Sequence, residues 1–228
     1  MEDYFRVDHS LLDKARVALQ SRKELYWITG GSCTGKSTVA AAIADRTELR
    51  VVDMDAYIYD RFMPAYQTER HPASKAWFGA ENPLAWVLSL GWEEFNALNR
   101  ATNAEFLDLL VDELDGKTEE FGLLVDGGFT HPSLLAEVVP ASRIVCLETA
   151  DAIRSSTWET AEERSLMKQW VHDLPDGEAK WRKFLFFDKM VAETLSDESK
   201  AAGVEVIGWD EGVGLRELSD MVMIALEL

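Results

Sequence analysis

The sequence is poor in positive charge: 23 Lys and Arg stand against 41 Asp and Glu, a net charge of −18 over 228 residues. A surface of that sign repels nucleic acid and anionic membrane, so neither is an expected partner, and any bound anion must rely on a local basic pocket. Cysteine is scarce too. Cys33 and Cys146 are the only two, too few for a disulfide framework or a cysteine metal cluster, and a reducing cytoplasm is the expected compartment. No apolar run approaches the ~20 residues of a membrane span. The first residues, Met1-Glu2-Asp3-Tyr4-Phe5-Arg6, lack a basic stretch followed by an apolar core, so no signal peptide is expected there. His71 and His131 both precede proline, which suits loops, and neither has a metal-ligand partner at the usual spacing. Internal repeats and low-complexity segments are missing, and the length suits one domain over residues 1–228, as a monomer or homodimer.

Against these absences stands one informative stretch, Leu25 to Thr38. It reads Leu25-Tyr26-Trp27-Ile28, then Thr29-Gly30-Gly31-Ser32-Cys33-Thr34-Gly35-Lys36-Ser37-Thr38. Gly30, Gly35, Lys36 and Ser37 satisfy G-x-x-x-x-G-K-[ST], with an apolar strand before and a helix-compatible run after. The glycines let successive backbone N–H groups point inward at phosphate oxygens, and the following helix adds its positive end. Gly30 through Thr38 are therefore the expected nucleotide-binding residues. Lys36 is expected to reach the β- and γ-phosphates, and Ser37 to place its hydroxyl on Mg²⁺.

A helix capped by Asp8 or Ser10 is expected before the loop, with Leu11, Ala15, Ala18 and Leu19 on its apolar face. Leu49 to Asp53 reads as a second strand, Phe121 to Asp126 as a third, Arg143 to Leu147 as a fourth and Val204 to Ile207 as a fifth. Helical patterns separate them. One runs from Trp92 to Leu114 with a stop at Gly116, and another from 151 to 202 breaks at Leu174-Pro175-Asp176-Gly177. Strands alternating with helices call for a parallel sheet covered on both faces. Residues 56–100 differ: Tyr57, Tyr59, Phe62, Tyr66, Trp77, Phe78, Trp86 and Trp92 crowd a region broken by prolines. A substrate-side cap and a satellite hydrophobic core account for this density equally well.

The loop, the acidic pair Asp53 and Asp55 after the second strand, and the arginine-bearing helical segment after the fourth strand together resemble the P-loop small-molecule kinases. That group includes nucleoside and nucleotide kinases, shikimate and gluconate kinases and chloramphenicol phosphotransferase. The resemblance implies a five-stranded parallel sheet in the order 2-3-1-4-5, a mobile lid within 151–183, ATP and Mg²⁺ as cofactors, and a small-molecule acceptor. The motif is specific only at the phosphate loop. No Arg-rich lid as compact as that of adenylate kinase is present.

Asp53, Asp55 and Asp126 all lie at or just past the carboxyl ends of strands, where open parallel sheets bind ligands. Asp53 is the expected base or acceptor-orienting group, with a share in Mg²⁺ binding, and Asp55 is expected to hydrogen-bond the acceptor hydroxyl. The alternative is that one of the two, Asp53 or Asp55, caps the helical segment starting near Ala56. Asp126 matches the hydrophobic run plus Asp that serves Mg²⁺ in other P-loop proteins. Among the lid cations Arg154 is the expected contact to the phosphates, ahead of Arg164, which Glu159, Glu162 and Glu163 surround at helical spacing. Arg61, Arg70 and Arg100 could bind an anionic group on the acceptor, although each alone is more often a solvated surface residue. Trp209, after the fifth strand, is expected either on the base or in the core. The ring density favours a nucleoside, nucleotide or other cyclic acceptor. The rivals are a nucleotide-hydrolysing switch and a regulatory protein without turnover. Against the switch, neither an Asn-Lys-x-Asp motif nor a Leu-Ser-Gly-Gly-Gln motif is present.

Overall fold

The computed structural model describes residues 5–115, 121–210 and 212–228. In chain order it runs α1 (His9–Gln20), β1 (Leu25–Gly30), α2 (Lys36–Ala44), β2 (Arg50–Asp53), the single turn α3 (Met54–Ala56), α4 (Pro72–Phe78), α5 (Pro83–Val87) and α6 (Trp92–Leu114). Then come β3 (Leu123–Asp126), α7 (Pro132–Val138), β4 (Ile144–Thr149), α8 (Asp151–Thr160), α9 (Ser165–His172), α10 (Gly177–Ala201), β5 (Glu205–Trp209) and α11 (Leu215–Ala225). The five strands form one all-parallel sheet in the order β2-β3-β1-β4-β5. The stop expected at Gly116 and the first four residues lie outside the described part. Among the described residues, no helix is long and apolar enough to cross a membrane.

Side-chain alternation along the strands builds two cores. Trp27, Val125, Ile144 and Cys146 face one layer with α1, α6 and α7. Their strand neighbours Ile28, Leu124, Val145 and Leu147 face the other, with α2 and α11. Both faces are thus apolar, which is why these strands read as continuous hydrophobic runs and require helices on each side. At the start of α1, Asp8 accepts the Ser10 N–H at 2.9 Å, one of the two caps expected.

A third core lies away from the sheet. Val87, Leu88, Leu98 and Ala101 pack with Trp158, Val171, Trp181 and Phe187, and Trp86, Trp92 and Phe95 lean on them. This core joins the aromatic region to α8, α9 and α10. Trp77, Trp86 and Trp92 of the 56–100 region join this core, whereas Tyr57, Phe62, Tyr66 and Phe78 pack into the main core beside the sheet, so the satellite core accounts for only part of the ring density. Tyr59 is exposed, and both it and Trp77 line the cavity described below.

The helical stretch after β4 breaks twice. The expected break falls at Asp176, whose left-handed φ of 58° precedes Gly177. A second, unforeseen break is the tight turn Glu162–Arg164 between α8 and α9. β5 extends two residues further than expected, so Trp209 pairs with Thr149 inside the sheet.

Candidate active site

β1 ends on Gly30 with φ of 140°, and a Cβ there would lie 2.3 Å from the Leu147 carbonyl oxygen. Only glycine lets the chain turn this close to β4. Within the loop Cys33 (φ 63°) and Gly35 (φ 81°) are left-handed, a conformation that turns neighbouring N–H groups into an anion-binding concavity. α2 begins at Lys36 with no side-chain cap, so its N-terminal N–H groups remain for a ligand. The loop braces itself: the Thr34 hydroxyl donates to Gly31 O at 2.9 Å. The Trp209 indole N–H donates to Thr34 O at 2.9 Å. Lys36 Nζ folds back onto Gly31 O at 2.8 Å.

Carboxylates gather opposite the loop. Asp53 and Asp126 are register partners at the ends of β2 and β3. Asp53 accepts the Ala56 N–H at 3.0 Å and so caps α3. The cap considered for either aspartate therefore belongs to Asp53. Asp55 instead lines a cavity of about 250 Å³ together with Lys36, Ser37, Asp126 and Arg164. Asp55 is exposed at the cavity mouth, yet the protein packed around it displaces enough water to lift its carboxyl above the ordinary range; Lys36 and Arg164 oppose the lift, while Asp53 adds to it. Desolvation likewise lowers Lys36, against the pull of Asp126 and Asp55. Burial raises Asp126, which the Ser37 hydroxyl and Lys36 partly offset. The far wall consists of Tyr59, Trp77, Asn99, Asn103, Phe106 and Phe129. Tyr59 and Trp77 are the rings of the 56–100 region that face the loop.

The arginines are placed differently from expectation. Arg154 is buried and bound to Asp151 at 2.7 Å and Asp188 at 2.9 Å. It borders a separate hollow behind the loop with Gly31 and Thr34, not the cavity that holds Lys36. Arg164 takes the cavity position, with its guanidinium 5.0 Å from the Trp158 ring centre. Of the arginines considered for an anionic acceptor group, Arg61 binds Glu113, Arg70 binds Asp108 at 2.6 Å and Arg100 binds Glu198 at 2.9 Å. His71 and His131 do precede helices at proline, but both are fully buried, on Asp108 and Glu198 respectively. Ser32 and Cys33 complete the loop beside Asp188 and Arg164, whose charges act on them. Ser37 and Thr38 are exposed on the first turn of α2.

The donor set fits a hard cation that arrives with a ligand. Asp126 is 5% exposed, and its Oδ1 has no hydrogen-bond partner, beside the Ser37 hydroxyl. Among the described residues no cluster of three or more His, Cys, Asp or Glu could cage a metal alone. That combination suits Mg²⁺, which is held by one or two carboxylates plus phosphates rather than by an all-protein cage. Comparison with protein-family models and with curated proteins finds no match.

Sequence reasoning missed Asn99 and Asn103. Their signal was polar residues one turn apart on the apolar face of α6, between Leu98 and Phe106.

Proposed function

We propose that the protein is a P-loop-type phosphotransferase that moves the γ-phosphoryl group of ATP to a hydroxyl of a small acceptor. The observation that carries this reading is a single cavity shared by the glycine loop, two cations, Lys36 and Arg164, and two carboxylates, Asp55 and Asp126. Phosphoryl transfer needs little covalent help from protein. It needs positioned phosphates, compensation of the moving charge and an oriented acceptor.

In this reading the N–H groups of Gly31 to Ser37 hold the β- and γ-phosphates. Lys36 leaves the Gly31 carbonyl for a phosphate oxygen, exchanging a neutral partner for a charged one. Ser37 and Asp126 would hold Mg²⁺, which would screen the phosphate charge. Arg164 faces the transferred group from the turn between α8 and α9, where a lid would close. Asp55 accepts the proton of the acceptor hydroxyl. Its raised carboxyl makes it a stronger base than an ordinary aspartate. The base of ATP lies beside Trp209, in a hollow with Thr149, Gly208 and Val213. Its indole N–H is already used by Thr34, so the ring offers its face.

Release of ADP from ATP, with and without candidate acceptors, tests the proposal. Turnover is expected to need an acceptor, and Lys36→Ala is expected to abolish it in a folded protein. Hydrolysis that no acceptor stimulates would make this a nucleotide switch instead. Full activity in Lys36→Ala would remove the reading.

A further inference from the structure

We infer that the acceptor is an uncharged, hydroxyl-bearing molecule with an amide-like hydrogen-bonding edge, and that Asn99 and Asn103 read that edge. The inference rests on the phosphotransfer reading above and narrows its acceptor.

Charge is the first argument. Among the described residues, Lys36 and Arg164 are the only Lys or Arg lining the cavity, and both belong to the donor phosphates. The arginines considered for an anionic acceptor group are committed to carboxylates: Arg61 to Glu113, Arg70 to Asp108 and Asp112, Arg100 to Glu198. A phosphate on the acceptor would meet Asp55 without a cation of its own, inside a protein of net charge −18. Like charges in one site are strongly disfavoured.

The second argument is the orientation of two amides. Asn103 Oδ1 accepts from the Thr130 N–H at 2.9 Å and the His131 N–H at 3.0 Å. A backbone N–H only donates, so the side-chain oxygen must lie there and Nδ2 must point the other way. Asn99 Nδ2 donates to Phe95 O at 3.0 Å. A carbonyl only accepts, so here Oδ1 points away. Both residues line the cavity and are otherwise 6% and 2% exposed, Asn99 and Asn103 respectively. They sit at i and i+4, about 5–6 Å apart at Cβ. One turn of α6 therefore presents an acceptor and a donor side by side. A ligand edge with a carbonyl next to an N–H satisfies both, and a site built this way penalises ligands that leave its buried groups unpaired.

Size and shape agree. About 250 Å³ lies below the ~300–1,000 Å³ usual for drug-sized ligands. The walls Tyr59, Trp77, Phe106 and Phe129 suit a flat ring.

The test uses the full-length protein with ATP and three probes. Uridine has the hydroxyl and the edge, uridine 5′-monophosphate adds charge, and glucose lacks the edge. Uridine is expected to stimulate ADP release, with kcat/KM at least ~10-fold above either other probe. Asn103→Asp keeps the oxygen that binds Thr130 and His131 but replaces the donor, and Asn99→Leu removes the acceptor without adding charge. Each is expected to raise the KM for uridine ~10-fold or more while leaving the KM for ATP and the melting temperature unchanged. Preference for the monophosphate, equal use of glucose, or an unchanged uridine KM in both variants would overturn the inference and leave the kinase reading standing. Calorimetry with a non-hydrolysable ATP analogue alone, and then with uridine or its monophosphate in the presence of that analogue, separates the two claims. Absent ATP binding defeats the phosphotransfer reading, whereas uridine binding no tighter than the monophosphate, or no binding of either, defeats the inference.

Discussion

At the residue scale, the division of labour between Asp53 and Asp55 turns on where β2 stops. Alternation along a strand would point the two side chains apart. The strand ends at Asp53 and the chain enters a helical turn at once, which carries Asp55 round to the cavity while Asp53 binds Ala56 N–H. Asp55→Asn is therefore expected to lower kcat by about 10²-fold or more, with ATP affinity little changed. Asp53→Asn retains a good cap and is expected to change kcat by no more than a few-fold. Steady-state ADP release on the two variants distinguishes them, and a reversed pattern would return the base to Asp53. Arg164 carries a parallel prediction. Arg164→Ala is expected to reduce kcat about 10²-fold or more, as removal of a transition-state donor does, whereas Arg154→Ala should act mainly on stability by leaving Asp188 buried without its partner.

At the element scale, two buried clasps hold the helices around the site. Asp108 on α6 ties Lys14 of α1, Arg70 and His71 together, and these contacts hold its carboxyl well below the usual range despite burial. Glu198 on α10 joins His131, Ser133 and Arg100. Burial works against its ionisation, but these partners prevail and hold its carboxyl down at about 2. A depressed carboxylate contributes stability that is fully present above the unfolded value and lost as pH falls through the folded one. For Glu198 the window runs from about 4.5 down to about 2, and the contribution is on the order of 3 kcal/mol. Urea denaturation across this window is expected to show a steeper acid loss in the native protein than in Glu198→Gln.

These clasps mark the limit of what could be read from the chain. Strands and helices were legible because hydrophobic period and glycine placement report local geometry, and the loop was legible because its residues match a spacing associated with phosphate binding. Whether an Asp or Arg far apart in sequence would meet a partner was not. Arg70 meets Asp108 and Arg100 meets Glu198 only through packing of α6 against its neighbours, so arginines that looked available for an acceptor are structural. Asn99 and Asn103 were hidden for the same reason. Glu105 completes the pattern, since its carboxylate receives the Ala73 and Ser74 N–H groups at the start of α4.

At the scale of the whole molecule, the net charge of −18 would oppose the approach of the proposed ATP. Raising ionic strength from about 0.01 to 0.15 M shortens the screening length from ~30 to ~8 Å. The association rate of ATP is expected to rise over that range, because long-range repulsion is screened before the short-range pull of Lys36 and Arg164. Stopped-flow tryptophan fluorescence measures this, and a falling rate would show that the local cations dominate the field. The third core has a different kind of reach. Val87, Leu88, Leu98 and Ala101 share it with Trp158, Val171, Trp181 and Phe187, so the helix that carries Asn99 and Asn103 packs against the elements that flank Arg164. In the proposed function this shared packing is expected to couple the two sites, and linkage then makes the coupling reciprocal: the factor by which ATP would raise the acceptor's affinity equals the factor by which the acceptor would raise that of ATP.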